Sequence, residues 1–201
     1  MEQVKRMMDV NFFGTFAVTQ AVVRAMKQRG STGSDREGII VLTSSQGGLL
    51  GIYGFTAYAA AKAALIKFGE ALHMEVVPHG LSVTVCVPPD TDTPGFVAEN
   101  VSKPTETRLL SEAAGLFSAE AVAKNLVNDA LSGRFYSTVG MEGFMLTTLC
   151  AGMGPLTHFT DFCAQVFLTG VFRIISAFVL FNFSRIVRAE QRSRASSKRK
   201  E

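Results

Sequence analysis

The stretch "IIVLTSSQGGLLGIYGFTAYAAAKAALIKFGEALHMEVVPHGLSVTVCV", residues 39–87, decides the fold. It opens on a short apolar run at 39–44, rich in branched side chains. The run does not alternate, which suits a strand buried on both faces, as in a parallel sheet. A glycine-rich loop, "GGLLGIYG" at 47–54, follows. Residues 57–77 then carry many alanines and one apolar face through Ala61, Leu65, Phe68, Leu72 and Val76, the period of a helix. Pro78 and Gly80 close it. "LSVTVCV", 81–87, is a second run without alternation. Strand, helix, strand predicts a right-handed crossover between parallel neighbours.

Outward from this unit the pattern continues. Residues 9–28 read as a helix with apolar positions at Phe12, Phe13, Phe16, Ala17, Val22 and Met26. A polar loop, "RGSTGSDREG" at 29–38, joins it to the first strand. "PPDTDTPG", 88–95, holds three prolines and is expected to be a loop. A helix is expected at 118–132 and a short third strand at 135–140. The fold class is therefore α/β, a partial Rossmann-like doubly wound parallel sheet.

Composition bounds the rest. Hydrophobic residues make up 47% of the 201 and charged residues 18%, which excludes a disordered chain. The net charge of +3 is unevenly placed. Residues 185–201 hold seven basic and two acidic side chains, leaving thirteen basic and fifteen acidic elsewhere. A basic tail after an apolar stretch suits an anionic membrane surface. No nucleic-acid motif accompanies it. Cys86, Cys150 and Cys163 are far apart, with neither disulfide nor metal-site spacing. Residues 1–10 carry four charges and no apolar run, unlike a signal peptide. Residues 143–160 lack Asp, Glu, Lys and Arg, and the 22 residues 162–183 include only Arg173 among charges. That length reaches across a bilayer, but a central arginine costs about 2.5–3.5 kcal/mol. The segment suits a hairpin or an interfacial attachment, or a packed soluble helix, better than a lone span.

The chemistry gathers around "AYAAAK", 57–62. Tyr58 and Lys62 lie one helical turn apart, on one face. Ser45 stands 13 residues before Tyr58, at the end of the first strand, and Asn11 lies in "DVNFFG". A phenol titrates near pH 10 in water, and a nearby ammonium favours its ionised form. A serine hydroxyl can hold a substrate oxygen within reach of the phenol. Each residue also has a plainer role. Ser45 could cap a turn, Tyr58 could pack as an aromatic, Lys62 could be solvated, and Asn11 could cap a helix.

In order and spacing, "VNFFG" (Asn11), "TSSQGG" (Ser45), "YAAAK" (Tyr58, Lys62) and "VPPDTDTPG" resemble the short-chain dehydrogenase/reductase family. The resemblance implies a catalytic set of Asn11, Ser45, Tyr58 and Lys62 and no metal. Tyr58 would give a proton to a carbonyl as hydride arrives. Lys62 would lower its pKa and hold the nicotinamide ribose, and Asn11 would hold a relay water. Tyr58, Lys62, Pro88, Thr91 and Thr93 would line the cofactor. Within the family, "SSQGGLLGIYGFTAYAAAKAALIKFGEALHMEV", "KPTETRLLSE" and "GFMLTTLCAGMGPLT" resemble the branch that acts on sphingoid-base ketones. That implies NADPH-dependent reduction of 3-ketosphinganine to sphinganine on the cytosolic face of the endoplasmic reticulum membrane. A homodimer would also fit the family.

The family's glycine-rich phosphate turn after a first strand has no counterpart in this sequence. "GSTG" at 30–33 follows a helix and "GGLLGIYG" follows the Ser45 strand. The sequence is thus expected to be a C-terminal portion of a reductase, without the cofactor-binding half and with an exposed sheet edge. Its expected divisions are 1–142 as part of the dehydrogenase domain, 143–184 as an apolar helical membrane segment, and 185–201 as a disordered basic tail. Two other functions stay open: a non-catalytic membrane-bound interaction protein, and a soluble reductase of another ketone.

Overall fold

The computed structural model describes residues 1–28, 38–112 and 115–197. The predicted loop at 29–38 lies, apart from Gly38, outside them. Helix α1 (Glu2–Met8) runs through a π-helical turn (Asp9–Phe13) into α2 (Gly14–Gln28). There follow β1 (Gly38–Thr43), a 3₁₀ turn (Gln46–Gly48), α3 (Thr56–Val76) and β2 (Leu81–Cys86). The chain continues with β3 (Thr91–Asp92), α4 (Pro94–Ser102), α5 (Thr105–Glu112), β4 (Phe117–Ser118) and α6 (Ala119–Ser132). It ends with β5 (Tyr136–Ser137), α7 (Gly140–Leu149) and α8 (Phe159–Ser197).

β1 and β2 pair in parallel from Gly38 opposite Leu81 to Thr43 opposite Cys86. β5 joins the other edge of β2, also parallel. The strand order is β1-β2-β5, and β3 pairs with β4 in a separate two-stranded sheet. The expected Rossmann-like α/β architecture is therefore present. Consecutive burial of Val83, Thr84, Val85 and Cys86 means both faces of β2 are covered. Among the described residues the outer edge of β1 is unpaired, and Val41 on it is 42% exposed. The unpaired edge is the one read from the sequence, but β1 is not covered on both faces as expected: Ile40 and Leu42 are buried while Val41 and Thr43 are exposed.

Helix α3 buries Ala61, Leu65, Ile66, Gly69, Leu72 and Val76. Ile66, Leu72 and Val76 join Leu42, Val83, Val85 and Phe135 in one core. Each fully buried Leu, Ile or Val contributes roughly 1.5–3 kcal/mol. Phe68, expected on that face, packs against the core at its margin and also meets the preceding helical segment, with its ring 6.3 Å from Phe12 and 5.0 Å from Phe16. The face of α2 follows Phe12, Phe16, Thr19, Val23 and Met26, so Phe13, Ala17 and Val22 point outward.

Three further expectations are corrected. The 88–95 segment is not loop throughout. Thr93 accepts a hydrogen bond from Phe96 N at 3.2 Å and caps α4, which begins at Pro94. A proline is tolerated at the first helical position because its missing N–H would have no intrahelical partner. Residue 143 is not a boundary either, since α7 runs through it and buries Gly143, Leu146 and Thr148 against the domain. Finally, the tail is helical rather than disordered as far as Ser197. Arg194 pairs at 2.8 Å with Glu106, which is 0% exposed, and Gln191 donates to the same carboxylate at 2.8 Å. These long-range bonds hold the last turns of α8 in place.

Gly69 sits where α3 meets the sheet most closely. A β-carbon there would lie 2.6 Å from Val85 Cγ2 and 3.2 Å from Leu42 Cδ1. Gly69→Ala is expected to destabilise the fold by about 1–3 kcal/mol through overpacking, read as a lower denaturant midpoint with unchanged slope.

Candidate active site

The site lies at the carboxyl end of the parallel strands, where ligands of such sheets bind. Ser45 leaves β1 in an extended conformation, and its Oγ accepts from Gly47 N at 3.1 Å. It therefore does cap a turn. The same hydroxyl also hydrogen-bonds the phenol of Tyr58, which lies in the first turn of α3. The glycines of this turn are packing residues. A β-carbon on Gly47 would stand 3.3 Å from the Tyr58 ring, and one on Gly48 2.9 Å from the Lys62 backbone. Facing protein rather than open space, the turn is not a phosphate cradle.

Lys62 stands one turn beyond Tyr58. Its Nζ lies 5.7 Å from the Tyr58 ring centroid and donates to Thr43 O at 3.1 Å. An ammonium carries three donors, so two stay uncommitted. Burial lowers the Lys62 pKa. The phenol of Tyr58 moves up, not down as Lys62 was expected to drive it. Burial is the largest cause. Glu99 and Asp90 raise it further, and the Ser45 hydrogen bond offsets only part. At neutral pH Tyr58 is therefore a protonated, half-buried donor.

Tyr58 borders two spaces. A cavity of about 70 Å³ is lined by Ser45, Gln46, Tyr58, Pro88 and Glu142 among others. An open groove of about 800 Å³, which Tyr58 also lines, is bordered by Asn11, Met7, Phe55 and Lys103. Asn11 is not a helix cap. It sits inside the π-helical turn, donating to Met7 O at 3.0 Å. Such turns recur at functional positions because they re-aim a side chain. Thr91 Oγ1 donates to Pro89 O at 2.9 Å, and Thr93 caps α4. Both lie in the loop beyond Pro88 but outside the wall of the smaller cavity. The structure thus brings Ser45, Tyr58, Lys62 and Pro88 together, with Asn11 bordering the groove, and leaves Thr91 and Thr93 at the periphery.

Sequence reasoning passed over several residues here. Lys103 is buried to 1% side-chain exposure, 3.0 Å from Glu99 and 3.8 Å from Asp90, with Nζ 4.7 Å from the centre of the Phe96 ring. Gln46 follows Ser45 directly and lines the cavity beside it. Glu142 is the one acid between Asp129 and Asp161, an isolated charge in an apolar stretch that could have drawn notice.

The short chain dehydrogenase family profile matches residues 1–103. The chain belongs to the short-chain dehydrogenase family. It is 46% identical over 188 residues to a 3-dehydrosphinganine reductase of Danio rerio, covering 94% of this chain and 55% of that protein. A 3-ketodihydrosphingosine reductase of Mus musculus is 46% identical over 184 residues, covering 92% and 54%. The chain thus spans about half the length of the curated relatives it matches. A solved short-chain dehydrogenase from Streptomyces avermitilis aligns with a TM-score of 0.56 at 25% identity, over 94% of this chain and 64% of that one.

Since the Ser45 hydroxyl lowers the phenol pKa, Ser45→Ala is expected to move the Tyr58 titration further up. Ultraviolet titration, with Tyr58→Phe to assign the signal among three tyrosines, reads the shift directly.

Proposed function

We propose that this chain carries the proton-transfer site of an NADPH-dependent reductase that converts 3-ketosphinganine to sphinganine in sphingolipid biosynthesis. What carries this reading is the half-buried Tyr58 phenol, its pKa raised mainly by desolvation and partly offset by the Ser45 hydroxyl, with Lys62 one turn away. The names of the 46%-identical relatives supply the substrate.

The residues fit the nicotinamide end of such a cofactor. Lys62 has uncommitted donors beside the phenol, and Tyr58 and Pro88 border one cavity. Thr91 and Thr93, which follow Pro88 in the chain outside the cavity wall, would reach a bound cofactor only at its margin. When bound, the reduced nicotinamide supplies a hydride to the ketone carbon. Ser45 Oγ orients the ketone oxygen by a hydrogen bond. Tyr58 gives its proton to that oxygen as the charge develops, completing the alcohol. Lys62 stabilises the resulting phenolate, and Asn11, across the groove, is placed to hold a water that returns the proton. The raised phenol pKa keeps Tyr58 in the protonated form that reduction requires at neutral pH, while the phenolate left after transfer depends on Lys62 for its stabilisation. The reverse oxidation needs the phenolate and so needs higher pH.

On this reading the active site faces the cytosol at the endoplasmic reticulum membrane, with α8 as the attachment. An 18-residue window of this 39-residue helix reaches a mean hydropathy of 2.0. Both ends are tied to the domain, by Arg134 to Asp161 and by Glu106 to Arg194. Phe172 packs on Phe144 between them at 5.7 Å. Ties at both ends to one body favour a helix lying along the membrane over one that crosses it. Its outer face presents Phe167, Val171, Ile174, Phe178 and Phe181, which suits lying in the interface. A hairpin with 143–160 is disfavoured, because α7 has ten residues and spans only about 15 Å.

Purified protein, NADPH and 3-ketosphinganine in detergent give the test. Turnover is expected, with Tyr58→Phe lowering it by about 10²–10⁴-fold. The reduction rate should hold through neutral pH and fall only in alkali, while the reverse rate rises with pH. No cofactor consumption by the unaltered protein would favour the non-catalytic membrane-bound protein instead.

A further inference from the structure

The smaller cavity beside Tyr58 holds more charge than proton transfer requires. Asp90, Glu99 and Glu142 all line it, and no lysine or arginine does. Two of the three have a cation. Asp90 and Glu99 share the buried ammonium of Lys103 at 3.8 and 3.0 Å, and Asp90 also accepts from Ser111. Glu142 has none among the described residues. Burial and the neighbouring Asp90 push its carboxyl up toward the neutral form. Glu142 lies in the first turn of α7, where the helix dipole would favour the ion. The observed direction is opposite, so the dipole does not account for it.

A second observation points the same way. Gln46 is 8% exposed, lines the same cavity, and its Nε2 donor has no hydrogen-bond partner among the described residues. Buried amide donors are normally satisfied, and an unmet one invites an explanation. Gly143, next to Glu142 in the chain, lets α7 approach that donor closely. A β-carbon there would stand 2.8 Å from Gln46 Nε2. The cavity wall that includes Ser45 and Tyr58 thus carries a carboxyl group without a cation and an N–H donor without an acceptor among the described residues.

We propose that Glu142 and Gln46 form a head-group site that selects α-amino ketones, Glu142 taking the ammonium and Gln46 donating to the neighbouring hydroxyl oxygen. The proposal rests on the reductase reading for its reaction but not for its recognition chemistry. A bound ammonium supplies the cation Glu142 lacks and restores it to the carboxylate form. It also fixes the adjacent ketone carbon relative to Ser45 and Tyr58, since the amine and the ketone occupy neighbouring carbons. Lys103 has a positioning role, holding Asp90 and Glu99 so that Glu142 is left free for the ligand.

Calorimetric titration of the 201-residue protein with a soluble short-chain 2-aminoalkane-1,3-diol tests this without any cofactor. The alkane-1,3-diol of equal length is the comparison. The amine is expected to bind about tenfold or more tighter, as for a hydrogen bond to a charged group. Glu142→Gln should erase that preference, and Gln46→Met should weaken both ligands while leaving the preference. Equal binding of the two diols by the unaltered protein overturns the proposal even if Glu142→Gln does not fold, and so does a preference that survives in a folded Glu142→Gln variant. Amine-selective binding without NADPH consumption would sink the reductase reading and leave the head-group site standing.

Discussion

The parallel ladder between β1 and β2 does not stop where the strands stop. Ser44 N donates to Cys86 O at 2.7 Å, and Gln46 N donates to Pro88 O at 3.1 Å. These two bonds carry the pairing past the strand ends and set the Ser45 turn beside the Pro88 loop. Ser44 Oγ then donates to Lys62 O at 2.8 Å, tying the turn to α3. Ser45, Tyr58 and Lys62 are thus positioned by bonds to the backbone as well as by their contacts with one another. A site built on rigid elements keeps its geometry when a ligand leaves. Gly48 is the condition for that closeness, because a side chain there would meet backbone, which cannot give way.

Around this frame the buried charges are distributed unevenly. Lys103 is matched by Asp90 and Glu99, and Glu106 by Arg194 and Gln191. A buried ion without its partner is strongly destabilising, so these sets fix α4, α5 and the end of α8 relative to the cavity. Thr107 adds a bond to Tyr53 O at 2.6 Å, fastening α5 to the loop after β1. The C-terminal helix therefore serves the site as well as the surface. Phe183 reaches the cavity wall while the other face of α8 stays apolar and exposed. An apolar surface next to a polar cavity is what a lipid with a small polar head would meet.

Much of the fold was legible because its signals are local. Two apolar runs without alternation gave β1 and β2 almost to the residue, and the alanine-rich stretch between them gave α3. Ser45, Tyr58 and Lys62 were legible for the same reason, since a strand end and a single helical turn fix their spacing. The rest was not, and the causes are specific. Thr93 and Pro94 read as loop because the cap that starts α4 is a geometry, not a composition. The end of α8 read as disordered because its anchor, Glu106, lies 88 residues from Arg194 in the chain.

The sequence by itself determined the crossover unit, the parallel sheet, the exposed edge and the identity of the groups around Tyr58, because each depends on residues close together in the chain. Only the tertiary structure decided the direction of the Tyr58 pKa. Lys62, four residues away, argued for a lower value. Burial together with Asp90 and Glu99, brought in from beyond β2, set it higher. Only the tertiary structure placed Gln46 and Glu142 on one wall. They are far apart in sequence, and the close approach of α7 at Gly143 is what joins them. Local periodicity builds elements, whereas desolvation and charge are sums over everything that packs nearby, and no window of the sequence contains that sum.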